Sequence, residues 1–154
     1  MREENNSETA LKKAMALCAG REYCTGDIRE KLHAWGITGN ECDRLLAVLI
    51  KQGFIDDSRY ASAYASDRLR QNKWGKIKIA AMLRSKGIDE KVITNALNNI
   101  DNDEYQRIIR EEISSHRRTV KSKNRYDLKG KLLRFGMSRG YESHILYDLL
   151  NDLD

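Results

Sequence analysis

The residues best suited to chemistry by contact form one run. Between Arg68 and Lys86 the chain carries Arg68, Arg70, Lys73, Lys76, Lys78, Arg84 and Lys86 and no acidic residue, a local net charge of +7. Trp74 and Gly75 interrupt these cations. Fixed positive charge at this density suits phosphate oxygens or carboxylates, and an indole set among it offers a flat face on which a base can stack. The same composition describes a solvated helix surface, and Trp74 equally suits a helix junction, so both readings stand at this point.

Residues for covalent or metal chemistry are not grouped in this way. His33, His116 and His144 are scattered, and no Gly-rich phosphate loop, nucleophile elbow or metal motif is present. A zinc site would need Cys18, Cys24, His33 and Cys42 to converge, and their spacing matches no paired-ligand pattern. The three cysteines read as reduced, buried thiols. The chain is therefore expected to be no enzyme and to need no cofactor or metal.

The elements that must carry the basic run follow from an internal repeat. Ile28, Leu32, Gly36, Ile37, Cys42, Leu46 and Leu49 match Ile79, Leu83, Gly87, Ile88, Ile93, Leu97 and Ile100 at a constant offset of 51. A third copy, offset by 53 from the second, aligns Leu132, Gly140, Tyr141, Leu146, Leu150 and Leu153. Apolar residues recur at three- and four-residue intervals within each copy, so each presents one apolar stripe of a helix, then a glycine, then a second helix. Gly36, Gly87 and Gly140 stand where the first of these helices must stop, in a conformation that glycine tolerates.

The helices that follow have uneven caps. Thr38 and Glu41 have capping-box spacing between Ile37 and Cys42, Asp89 caps the second copy, and Glu142 is a poorer cap in the third. A further amphipathic helix precedes each pair, over about residues 8–20, 57–72 and 103–120. The chain thus reads as all-α, with a polar tail over 1–9 and three three-helix repeats over 10–56, 57–102 and 103–154, stacked as an elongated array. One position departs from the pattern. Gly136 stands where the other copies have Leu32 and Leu83, so the third repeat either shifts its packing onto Leu133 and Met137 or is less stable.

The complete absence of proline among 154 residues agrees with helices joined by glycine and polar turns. Mean hydropathy is −0.69, no apolar run reaches the roughly 18 residues of a membrane span, and the first residues are polar, so a cytoplasmic protein without membrane contact is expected. The net charge of +5 is unevenly placed. Residues 1–56 sum to −1, 57–100 to +5 and 101–154 to +1, the last divided between a basic region from Arg107 to Arg139, net +8, and an acidic end with Glu142, Asp148, Asp152 and Asp154. Such segregation steers a molecule toward a polyanion.

A short segment between the first two repeats has its own logic. Gly53 can end a helix, Phe54 and Ile55 can pack into the junction, and Asp56 or Asp57 can cap the next helix, with Arg59 pairing to one of these carboxylates. Gly53–Ala61, with Tyr60 inside it, therefore reads as an inter-repeat hinge or clamp more than as a binding site. This segment, with Ala65 and Arg68-Leu69-Arg70, resembles the central signature of the RecX regulatory proteins. Arg21-Glu22-Tyr23, Gly75-Lys76-Ile77-Lys78-Ile79, Lys86-Gly87-Ile88 and Arg139-Gly140-Tyr141 extend the resemblance over essentially residues 10–153.

The resemblance implies three tandem helix-turn-helix-like units in a protein that binds the RecA recombinase filament. It further implies modulation, usually inhibition, of RecA-driven strand exchange and of the coprotease activity that switches on the SOS response. Cys24 departs from the family, which often has a capping serine there, so Thr25 takes over the cap or the helix boundary shifts. The expected contact residues are Arg68, Arg70, Lys73, Trp74, Lys76, Lys78, Arg84 and Lys86, acting in a monomer on the RecA filament and, weakly and through phosphate, on single- or double-stranded DNA. The competing reading is an independent helix-turn-helix DNA-binding regulator. It needs a recognition helix that reaches base edges, and Glu90–Ile100 is not basic.

Overall fold

The structure is a computed structural model that describes the backbone of residues 2–152 and the side chains of residues 6–152. Leu153 and Asp154, assigned above to the third repeat and to the acidic end, lie outside the described residues. Nine helices and no strand occur among the described residues: α1 Arg2–Gly20, α2 Thr25–Ala34, α3 Gly39–Lys51, α4 Asp57–Asn72, α5 Lys76–Ser85, α6 Glu90–Asn98, α7 Asn102–Thr119, α8 Arg125–Ser138 and α9 Ser143–Asn151. Taken in threes they reproduce the repeat pattern, although α1 begins before the expected residue 8 and runs through the segment read as a polar tail.

The repeat glycines close their helices for the expected reason. Gly36, Gly87 and Gly140 have φ of +86°, +80° and +89°, a region that costs other residues about 1–2 kcal/mol. At Gly36 the following Ile37 N–H reaches back to the Leu32 carbonyl at 2.9 Å and Gly36 N–H to that of His33 at 3.0 Å. Tyr141 and Gly140 make the same two bonds to Gly136 and Met137, both at 3.0 Å. These are Schellman closures, which satisfy carbonyls that the helix end would otherwise leave free.

The chain divides into two compact units, and the division runs through the second group of helices. One unit contains Met1–Ala61 with Arg84–Ile93, the other Ser62–Leu83 with Thr94–Asp154. In the first, Ile28 and Leu32 of α2 and Cys42, Leu45, Leu46 and Leu49 of α3 are buried with Ala10 and Ala14 of α1 and with Ile55. Each large aliphatic side chain removed from water contributes about 1.5–3 kcal/mol, so these stripes hold the helices together. In the second unit the buried set includes Leu69, Ile79, Leu83, Tyr105, Ile109, Leu132, Tyr141 and Leu146.

Gly136 is accommodated differently from expectation. A Cβ placed there would lie 2.5 Å from Leu146 Cδ2, so the side chain of Leu146 fills the space that a leucine at 136 would take. Met137 stays 55% exposed and does not replace it. One cap also differs, and a second is as weak as its residue type suggests. Thr38 holds the N-cap position of α3 but its side chain makes no cap hydrogen bond, and the Glu41 side chain turns to Arg44 rather than back to the cap. Glu142 stands at the N-cap of α9 and likewise makes no cap bond.

Candidate functional site

In the first unit, the signature segment ties α2 to the α5–α6 turn. Gly53 ends α3 with φ of +79°, Phe54 N–H bonds the Leu49 carbonyl at 2.9 Å, and Ile55 is buried beside half-buried Phe54. The two aspartates then part. Asp56 caps α4 by accepting the Arg59 backbone N–H at 3.0 Å. Asp57 caps a different helix: its Oδ1 accepts the Thr25 N–H at 2.8 Å and the Thr25 hydroxyl at 3.0 Å. Neither aspartate takes the Arg59 guanidinium, which bonds Glu22 Oε1 at 2.7 Å and the Gly53 carbonyl at 3.1 Å.

The start of α2 resolves the question raised by Cys24. Cys24 keeps the N-cap position, its backbone N–H donating to Asp27, while Asp57 serves the Thr25 N–H from outside the helix. The boundary does not shift, and Thr25 does not become the cap. Burial pushes the Cys24 thiol up to about 11, which makes it an unreactive packing group. Lys86 completes this region through a 3.1 Å bond to Asp27, with its ammonium 5.9 Å from the ring centre of buried Tyr60. A Cβ on Gly26 would fall 2.6 Å from the Lys86 carbonyl oxygen, so backbone meets backbone here.

The second unit contains an equivalent arrangement around Gly75. Gly75 N–H donates to the Arg139 carbonyl at 2.7 Å and Ile77 N–H to that of Gly140 at 3.0 Å. A Cβ on Gly75 would lie 2.3 Å from Gly140. Tyr105 is fully buried, and its hydroxyl accepts the Lys76 N–H at 2.9 Å while donating to Glu142. Burial first, and this bond to a carboxylate second, push the Tyr105 phenol far above its ordinary value. Tyr141 donates to the Lys73 carbonyl at 2.6 Å and Arg139 to that of Asn72 at 3.2 Å.

Sequence reading missed Tyr105, Tyr141 and Glu142 as parts of this arrangement. A signal for the first was available: Asp101 stands four residues before Tyr105 as Asp56 stands before Tyr60, and Asp101 caps α7 as Asp56 caps α4.

The eight expected contact residues are not equivalent. Arg84 and Lys86 fall in the first unit, where Arg84 pairs with Glu90 and Lys86 with Asp27. In the second unit Arg70 pairs with Glu104 at 2.8 Å, and Arg68 lies over the Tyr64 ring with its Nε buried. Lys73, at the end of α4, adopts φ of +59° and turns its ammonium onto the Arg70 carbonyl at 2.7 Å. Lys76 sits 4.9 Å from the Tyr105 ring centre and Lys78 4.7 Å from that of half-buried Trp74. The structure thus gathers Lys73, Trp74, Lys76 and Lys78 at the start of α5. Ile77 and Met82 on that helix remain 56% and 39% exposed.

No group of metal-ligating side chains and no helix long and apolar enough to cross a membrane occurs among the described residues.

Comparison with known proteins places this arrangement. Residues 56–97 match the model of the RecX second three-helix domain. The chain is 32% identical over 129 residues to the regulatory protein RecX of Clostridium perfringens (strain SM101 / Type A), covering 82% of this chain and 58% of that protein. It is 28% identical over 140 residues to the regulatory protein RecX of Chlorobaculum tepidum, covering 91% of this chain and 85% of that one. It therefore spans somewhat over half the length of the clostridial relative. The fold is shared with a crystal structure of RecX from Lactobacillus salivarius, at a TM-score of 0.85 and 18% identity over 98% of both chains. A second RecX crystal structure gives a TM-score of 0.86 at 21% identity, covering 96% of this chain and 72% of that one. Since the sequence match runs well beyond the second-domain segment on both sides, the chain belongs to the RecX family.

Proposed function

We propose that this chain is a non-catalytic regulator that binds the RecA nucleoprotein filament and inhibits its recombinase and coprotease activities. The resemblance to the RecX regulatory proteins supports the choice of partner, and the surface at the start of α5 supports the mode of contact. There Lys76 and Lys78 stand with Lys73 and Trp74 beside two exposed apolar side chains, Ile77 and Met82, and no acidic residue interrupts the run. Cations beside exposed apolar groups suit an acidic protein groove together with nearby phosphate better than a bare duplex does.

Arg70, Arg84 and Lys86 have carboxylate partners inside the protein and act in this reading chiefly to hold its elements together. Several small units suit a repeating partner, because modest contacts made together raise the effective affinity where their spacing agrees. At the α5 surface, DNA alone is bound weakly and through phosphate, by a monomer.

The test compares the full chain with Lys73→Gln/Lys76→Gln/Lys78→Gln for binding to RecA assembled on single-stranded DNA, over a range of salt. The triple substitution is expected to weaken binding at least tenfold and to lower its salt dependence, with helix content unchanged. Unchanged filament binding and an unchanged salt slope would remove this surface from the account. Tight binding to one duplex sequence without RecA would favour an independent DNA-binding regulator instead.

A further inference from the structure

The second basic region differs from the first in how its cations are used. On α7, Arg110, Arg117 and Arg118 fall with Ser114 within about 100° of one another at 100° per residue, on an arc that does not overlap the buried stripe of Tyr105, Ile108, Ile109 and Ile113. The chain then passes through the exposed connector, with Lys121 and Lys123 at alternate positions, and enters α8 at Arg125 and Tyr126. All six of these cations are exposed, and among the described residues none has an ion-pair partner. The neighbouring acids are already engaged: Glu111 with Arg107 at 3.4 Å, Glu112 with Arg139 at 3.7 Å, and Asp127 with Lys131 at 3.3 Å.

An aromatic side chain lies among these cations with its faces open. Tyr126 is 89% exposed, whereas Trp74 in the first basic run is half-buried beneath Lys78. The other rings nearby are engaged with each other, His116 stacking on Phe135 at 3.9 Å. An acidic protein segment would satisfy the cations but leaves the open ring without a role. In a duplex the bases are stacked internally. A single strand offers both the phosphates and an unstacked base.

We infer that the C-terminal half of α7, the connector and the first turn of α8 bind single-stranded nucleic acid, with phosphates on the six cations and a base on Tyr126. This site is separate from the α5 surface and does not depend on the RecA reading, because it engages the strand without any other protein.

The experiment measures fluorescence anisotropy of a labelled oligothymidylate of about 20 nucleotides with the full chain alone. Arg117→Gln/Arg118→Gln/Lys121→Gln should lower affinity at least tenfold and reduce the slope of log K against log salt by about 2, since each lost phosphate contact on a single strand changes it by about 0.7. Tyr126→Ala should lose about tenfold and Tyr126→Phe should retain full affinity, because stacking needs the ring and not the hydroxyl. Lys76→Gln/Lys78→Gln should leave this binding unchanged. Wild-type affinity in the arginine–lysine variant would overturn the site. So would a Tyr126→Ala variant equal to wild type, or competition by poly-glutamate as effective as by unlabelled oligothymidylate.

Discussion

At the scale of single residues, two glycines that look alike in sequence do different work. Gly36 and Gly140 both end a helix with positive φ, but a Cβ on Gly36 meets nothing within 4 Å, whereas on Gly140 it would lie 2.4 Å from Lys78 Cβ. Gly36→Ala should therefore cost only the backbone conformation, about 1–2 kcal/mol. Gly140→Ala adds overpacking against another backbone and should cost about 2–5 kcal/mol. Urea denaturation of the two variants checks the difference.

Asp27 gives a second residue-scale prediction. Burial raises its carboxyl, but the bonds from Lys86 and Cys24 together outweigh burial and hold it below the usual carboxylate value. A lowered value in the folded state means stability that is complete above the unfolded pKa of about 3.9 and lost as pH falls through the folded value. Lys86 is raised, burial being overcome by Asp27 and Tyr60, so its share is complete below about pH 10.4 and lost as pH rises through its folded value. Asp27→Asn should cost about 1 kcal/mol near neutrality and flatten the acid limb of a stability–pH curve measured by thermal unfolding.

At the scale of elements, the start of a second helix is held by groups far away in the chain. Asp57 caps α2 across 32 positions, and Tyr105 receives the Lys76 N–H across 29. Tyr105→Phe leaves that amide and the Glu142 carboxylate without their common partner and should destabilise the second unit by about 1–3 kcal/mol. Hydrogen exchange should then quicken at the Lys76 amide while Ile28 and Leu32 in the first unit keep their protection.

The helices themselves were legible in the sequence because their signals are local: apolar spacing, a closing glycine and an offset that repeats. These cross-chain bonds were not legible. Asp57 offered its carboxylate equally well to its own helix, Arg59 had two aspartates closer in sequence than Glu22, and Glu142 looked like a weak cap when its partner was a phenol 37 residues away. The basic run was legible as composition only. Its division into engaged cations such as Arg70 and Lys86 and those at the start of α5 depends on carboxylates 34 and 59 positions distant.

At the scale of the whole molecule, three-helix groups that each close a helix on a glycine would, under the proposed function, offer several contacts at once to a repeating partner. Catalysis has no part in this account, and charge placement has a large one. The middle group places Lys73, Lys76 and Lys78 at the start of α5, and the last group places six cations from α7 into α8. The most direct measurement is cross-linking of the purified chain to RecA, with and without single-stranded DNA, followed by mapping of the linked residues. The account predicts links from Lys73, Lys76 and Lys78 to RecA that appear only on the DNA-bound filament. Links of equal yield to free RecA, or none from the α5 surface, would contradict it.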